Sequence, residues 1–287
     1  SYYADYHTNN GWGELANSNQ LDRLPELVEI YNKAATAMKQ IDPTIQVGGL
    51  AIARPDLAPF YVPFIRGTVE HLDFFSYHAY ATGSADTPDA EVYAAIDRIG
   101  EFTQHIAQAL QQASPDRHIP LFLDEYNISW TWETRDLRMV NHKGAVFDAL
   151  TILHTIQNGV DGTAAWNEKD GIYGKTSNQD ELRPSAHLFH LLNQMLVGDR
   201  VETTSRASIT AFAIRNQSDA GKTLVLVNAS DEDQPVLAKF IGWQPAGQVE
   251  QYRIGAAGYS EQAIDSRLLS SEFFLPAASV TILHFSA

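Results

Sequence analysis

Residues 119–130 read IPLFLDEYNISW, and this stretch decides the fold. Ile119, Leu121, Phe122 and Leu123 are strand-type apolar residues that run into Asp124, Glu125, Tyr126 and Asn127, where the apolar pattern breaks into a loop. A buried parallel strand is apolar on both faces and delivers functional groups at its carboxyl end. An ionised acid is costly to bury alone, so Glu125 at such a strand end needs a partner, a solvated cleft or a chemical task. The plain alternative is that Asp124 and Glu125 simply begin a solvated loop.

Working outward, Leu24, Leu27, Val28, Tyr31, Ala34, Ala35, Met38 and Ile41 keep the 3-4-3 spacing of a helix packed on a sheet. IQVGGLAI (45–52) and LDFFSYHAY (72–80) read as short strands, with a short helical segment over roughly 55–70 between them. Thr87-Pro88 is a helix-start signal, and Tyr93, Ile96, Ile99, Phe102, Ile106, Leu110 and Ala113 form the apolar face that follows. After the opening stretch, Val146, Ala149, Leu150, Leu153 and Ile156 mark another helix, stopped at Asn158-Gly159. GTAAWNEKDG (162–171) is a fourth strand and loop, and Pro184 opens a last helix with Leu188, Leu191, Leu192 and Met195 inside. Strand and helix alternate, which predicts a parallel sheet with helical crossovers.

Beyond about residue 198 the texture changes. ITAFAIR, KTLVLVN, PVLAKFI, VEQYRI and SVTILHF are short strands separated by turn residues, the pattern of a small antiparallel β-sandwich. The expected division is an α/β domain over 1–198 and a sandwich over 199–287.

Composition narrows the chemistry. The chain has 287 residues, and its 35 acids against 20 bases give a net charge of −15, which disfavours nucleic acid and anionic membrane surfaces as partners. There is no cysteine, hence no disulfide and no thiolate nucleophile. No run reaches the length of a membrane-spanning helix, and SYYADYHTNNGWGE at the start is unlike a secretory leader. A soluble protein is expected, with cytoplasm and secretion both left open. The lack of a phosphate-cradling glycine loop and of a G-x-S-x-G elbow disfavours phosphoryl and acyl transfer; no cofactor is expected, and a metal held through His78, Glu125 or Asp170 has no HExxH or clustered ligand spacing to support it.

Three strands end in residues useful to chemistry: Ser76, His78 and Tyr80; Asp124, Glu125 and Asn127; Trp166, Asn167 and Glu168. In sheets of parallel strands, ligand sites lie at those carboxyl ends. Taken singly, His78 reads as readily as a hydrogen-bonded core histidine, Tyr80 as packing, Trp166 as a rim hydrophobe and Glu168 as a solvated charge. Taken together, carboxylates beside aromatic surfaces suit sugars, whose apolar ring faces stack on Trp and Tyr while Asn and His bond the hydroxyls.

The four strands in this order, VGGLAI, DFFSYHAY, PLFLDEYNIS and GTAAWNEKDG, resemble the second half of a clan A glycoside hydrolase barrel, and most closely the family 39 β-xylosidases. The resemblance implies an α/β fold, a partial (β/α)8 barrel of about four βα units, followed by the sandwich. It implies a retaining glycosidase acting on β-linked sugars, with Glu125 as the nucleophile. Tyr80 would hydrogen-bond that carboxylate, His78 would support the same face, and Trp166 would floor the sugar subsite beside Glu168. Asn127 would reach a substrate hydroxyl or brace its loop.

One departure matters. The family's acid/base stands in an Asn-Glu-Pro motif, which this sequence lacks; Glu14 and Asp5 are the carboxylates ahead of the first helix, and Glu14 is the candidate for the role. The expectation is therefore either a fragment starting just past the acid/base or a half-barrel, relieved of its open edges by forming a homo-oligomer or by pairing with an N-terminal half. The alternatives are a non-catalytic carbohydrate-binding scaffold and an unrelated α/β protein that binds no sugar.

Overall fold

The structure, a computed structural model, describes residues 21–132, 135–204, 208–217 and 221–286. Glu14, with the loop read over residues 1–20, lies outside the described residues. The element order is α1 (Leu24–Ile41), β1 (Gly48–Ile52), α2 (Ala58–Thr68), β2 (Phe74–Thr82), α3 (Asp89–Ala113), β3 (Leu121–Ser129), a 3-10 turn (Leu137–Val140), α4 (His142–Gln157), β4 (Gly162–Ala165) and α5 (Pro184–Met195). It continues through β5 (Gly198–Val201), β6 (Ile209–Asn216), β7 (Lys222–Asn228), β8 (Gln234–Val236), β9 (Gln248–Gly255), β10 (Gly258–Asp265), β11 (Phe273–Leu275) and β12 (Ser279–Phe285). No described helix is long and apolar enough to cross a membrane.

Strands β1 to β4 form one sheet in sequence order, and the described registers of β1 with β2 and β3 with β4 are parallel. The expected alternation of strand and helix is therefore what the chain builds, in the manner of a partial TIM-type barrel. One face of the sheet carries a layer made by size matching. Gly48 pairs with Phe74 and Phe122 with Gly162, while the two Phe rings meet edge to face at 5.7 Å. A Cβ on Gly48 would sit 2.3 Å from the Phe74 ring, so the layer admits only glycine there. On the other face Tyr77 and Thr103 of α3, both fully buried, share a 2.5 Å hydrogen bond. Full burial of aromatic side chains such as Phe75 and Tyr77 contributes on the order of 1.5–3 kcal/mol each.

Three sequence expectations need correction. The chain does not break into a loop at Asn127; β3 runs on to Ser129, and Tyr126–Ser129 are buried. Met38 and Ile41, assigned to the packed stripe of α1, are 40% and 88% exposed. PVLAKFI contributes only Pro235 and Val236 to a strand, since its Phe240 packs in a loop against Trp243 and Phe285.

The C-terminal strands make a six-stranded antiparallel sheet, β10-β9-β12-β7-β6-β5, and a two-stranded ribbon, β11-β8. Leu226, Val249, Leu283 and Phe285 from the sheet share one core with Leu275 and Val236 from the ribbon, so the two layers form a sandwich. The chain divides into two compact units. One takes in the described residues up to Ala79 with Asp97–Tyr126 and His154–Ala165; the other takes in Tyr80–Ile96, Asn127–Leu153 and the described residues from Trp166 on.

Candidate active site

In the first unit, β3 starts from a fixed point: the Leu121 N–H donates to the Asp161 carboxylate at 2.8 Å, and the Asp161 N–H donates to the Leu121 carbonyl at 2.8 Å. Along β3 the register with β4 slips between Leu123 and Tyr126, so that Asp124 and Glu125 oppose the single residue Ala164. A β-bulge of this kind re-aims side chains that regular pleating would send to opposite faces. Here both acids reach one imidazole. His78 Nδ1 lies 3.4 Å from Glu125 Oε2, and His78 Nε2 lies 3.5 Å from Asp124 Oδ1. Ser76, two residues before His78 on the same face of β2, hydrogen-bonds Asp124.

Burial pushes the Asp124 carboxyl above its ordinary range, and the nearby Glu125 charge adds to this; the Ser76 hydrogen bond and His78 pull the other way without prevailing. A neutral imidazole has one N–H and one bare nitrogen, so His78 meets the two acids with the two different edges of its ring. Glu125 is 23% exposed.

The other predicted site residues lie in the second unit. Tyr80 is half-buried in β2. Asn127 is almost fully buried; its Nδ2 donates to the Trp166 carbonyl and its Oδ1 accepts from the Ile128 N–H at 2.8 Å. Trp166 follows directly on the end of β4 and is 46% exposed, and Glu168 is exposed two residues further on. Glu14 is outside the described residues.

Asp124 and Ser76 stood in the quoted strand ends but were given no site role; what hid them is the bulge, which no local pattern announces. Trp130 and Trp132 were passed over as well. They are 61% and 69% exposed on the segment after β3, the Trp130 N–H donates to the Thr82 carbonyl at 3.2 Å, and its ring fills the space over Gly83. A second polar cleft, about 370 Å³, lies between the segments after β2 and β3, lined by Asp89, Arg135, Asp136, Arg138 and Lys143 among others. Arg138 spans it, paired with Asp136 at 2.6 Å and bonded to the carbonyls of Thr87 and Ala85.

Comparison with known proteins bears on the fold and the family of the chain. The solved structure of a family 39 β-xylosidase from Caulobacter crescentus matches with a TM-score of 0.61 at 18% identity, covering 97% of this chain and 64% of that one. A family 51 α-L-arabinofuranosidase from Bifidobacterium longum matches with a TM-score of 0.69 at 14% identity, covering 92% and 64%. At these identities the likeness is one of fold. In sequence, a β-xylosidase of Caldicellulosiruptor saccharolyticus is 25% identical over 214 residues, which are 68% of this chain and 43% of that protein. A β-xylosidase of Geobacillus stearothermophilus is 30% identical over 115 residues, 37% of this chain and 22% of that protein. The chain thus spans less than half the length of the curated relatives it matches. The sequence model described as glycosyl hydrolases family 39 matches residues 14–169, more than half of the chain, and the chain belongs to that family.

Proposed function

We propose that the chain carries the nucleophile half of a retaining glycosidase active on β-linked sugars of the xyloside type, with Glu125 as the attacking carboxylate. The observation that carries this reading is the His78 contact to Glu125 at 3.4 Å, made at the bulge in the middle of β3 in a chain of this family. In the retaining reaction the carboxylate attacks the anomeric carbon and forms a glycosyl-enzyme ester, while a second carboxylic acid, about 5–5.5 Å away, protonates the leaving oxygen and later activates water. His78 supports Glu125 from 3.4 Å. Tyr80 is assigned a hydrogen bond to the same carboxylate, Trp166 the stacking surface for the sugar, Glu168 a hydroxyl contact, and Glu14 the acid/base.

Association belongs to the same reading. Among the described strands β1 and β4 each have one neighbour, and an unpaired parallel edge invites pairing. The working form is therefore a homo-oligomer or a complex with an N-terminal half-barrel, and light scattering that finds a monodisperse active monomer contradicts it.

The test of function uses an aryl β-xyloside. A phenol leaving group of low pKa needs little protonation, so even a chain short of its acid should release a burst of phenol, and Glu125→Gln should abolish it. Unchanged release by Glu125→Gln sinks the assignment; a parent that binds the sugar but releases no phenol favours the non-catalytic carbohydrate-binding alternative.

A further inference from the structure

The connection from β4 to α5, residues 166–183, carries Trp166 and Glu168 yet has no strand or helix of its own, only isolated bridges of Thr176 to Lys169 and Leu182. Such a segment needs other means of holding a sugar platform in one place. Its backbone folds back on itself: the Lys175 N–H donates to the Asn167 carbonyl at 3.1 Å, and the Thr176 N–H donates to the Glu168 carbonyl at 2.9 Å. The Lys175 side chain then turns inward, where Nζ meets both oxygens of Asp148 on α4 at 3.1 and 2.8 Å. Asp148 is fully buried and Lys175 nearly so. The Arg183 guanidinium clamps the same segment from its far end, donating to the carbonyls of Gly174 and, at 3.0 Å, Asp170.

We infer that Lys175, through its buried pairing with Asp148, is a positioning residue for sugar binding: it ties α4 to the stretch that presents Trp166 and Glu168. The inference rests on the proposed function. A buried ion pair is a poor source of net stability, because desolvation offsets most of the attraction, and it is often replaceable by apolar residues of like volume. What such a pair does supply is direction. Its charges permit one geometry of the approaching backbone, and here that backbone is hydrogen-bonded residue for residue to the sugar-facing stretch. An apolar pair would bury as well without fixing that register.

The decisive variant is Asp148→Leu/Lys175→Met, which removes both charges and leaves neither uncompensated. Two quantities are followed: amide hydrogen exchange over residues 166–176, and KM and kcat for an aryl β-xyloside. The expected result is faster exchange in that segment, with KM raised about tenfold, the worth of one aromatic stacking contact, and kcat changed much less. Trp166→Ala, which raises KM in the parent, should add little in the paired variant. Should the paired variant fail to fold, Asp148→Asn/Lys175→Met, which likewise leaves no buried charge unpaired, carries the same test with the same signs. Unchanged exchange overturns the inference, and so does faster exchange with unchanged KM or full additivity with Trp166→Ala. A parent that neither binds nor turns over xylosides sinks the proposed function and this inference with it; a working parent matched by the paired variant sinks this inference alone.

Discussion

His78 and Glu125 meet at 3.4 Å through Nδ1 and Oε2, while the opposite ring nitrogen of His78 faces Asp124 at 3.5 Å. One imidazole therefore contacts two consecutive acids, and losing it removes a contact from each. His78→Ala is predicted to lower kcat for an aryl β-xyloside on the order of a hundredfold, the cost of misplacing a reacting group by about an ångström. Steady-state kinetics check this; a change confined to KM contradicts it.

The raised pKa of Asp124 has a definite sign in stability. In the window just above the ordinary carboxylate value of about 3.9, the native chain holds a proton that the unfolded chain has released. Asp124 therefore costs stability as pH rises through that window and costs nothing below it. Thermal melts of Asp124→Asn should show a higher midpoint than the parent at pH 7 and no gain near pH 3. A gain of equal size at both pH values, or a loss at pH 7, contradicts the electrostatic account.

Arg138 is buried with Asp136, which is 2% exposed, and it also holds the carbonyls of Thr87 and Ala85. Arg138→Met leaves the Asp136 charge uncompensated and should cost about 3–5 kcal/mol in denaturant unfolding. Asp136→Asn/Arg138→Met should recover part of that loss. A single variant as stable as the parent rejects the prediction.

Two glycines separate cheap from costly crowding. A Cβ on Gly83 would stand 2.1 Å from the Trp130 ring, which is 61% exposed and free to swing away. Gly83→Ala should change stability by less than about 0.5 kcal/mol while altering tryptophan emission. Gly198, at φ +152°, would place its Cβ 2.1 Å from the Arg215 carbonyl oxygen, which is backbone and cannot yield. Gly198→Ala should cost about 1–3 kcal/mol. Equal costs at the two positions would contradict this ordering.

The barrel-type half was legible because its punctuation is local. Thr87-Pro88 precedes α3, Pro184 opens α5, and the apolar runs of β2 and β3 sit where predicted. What escaped depends on neighbours. The bulge at Asp124 and Glu125 is a register property of β3 against β4, so sequence showed the acids but not their convergence on His78. β10 was missed because it is an edge strand, and GYSEQAID is polar where no second face is covered. PVLAKFI erred the other way: its apolar residues pack from a loop, with Ile241 97% exposed. Glu125 and His78 could be singled out by type and position, whereas the pairing of Lys175 with Asp148 joins two unremarkable charges that only the fold brings together.

The account centres on Glu125 as the residue that bonds to the sugar. Incubation with an activated 2-deoxy-2-fluoro-β-xyloside, whose fluorine slows both steps while its good leaving group keeps the first faster than the second, should trap the ester for peptide mass spectrometry. The predicted result is a single adduct on the peptide containing Glu125, lost in Glu125→Gln. An adduct on another carboxylate, or turnover of aryl xylosides with Glu125 never labelled, would contradict it.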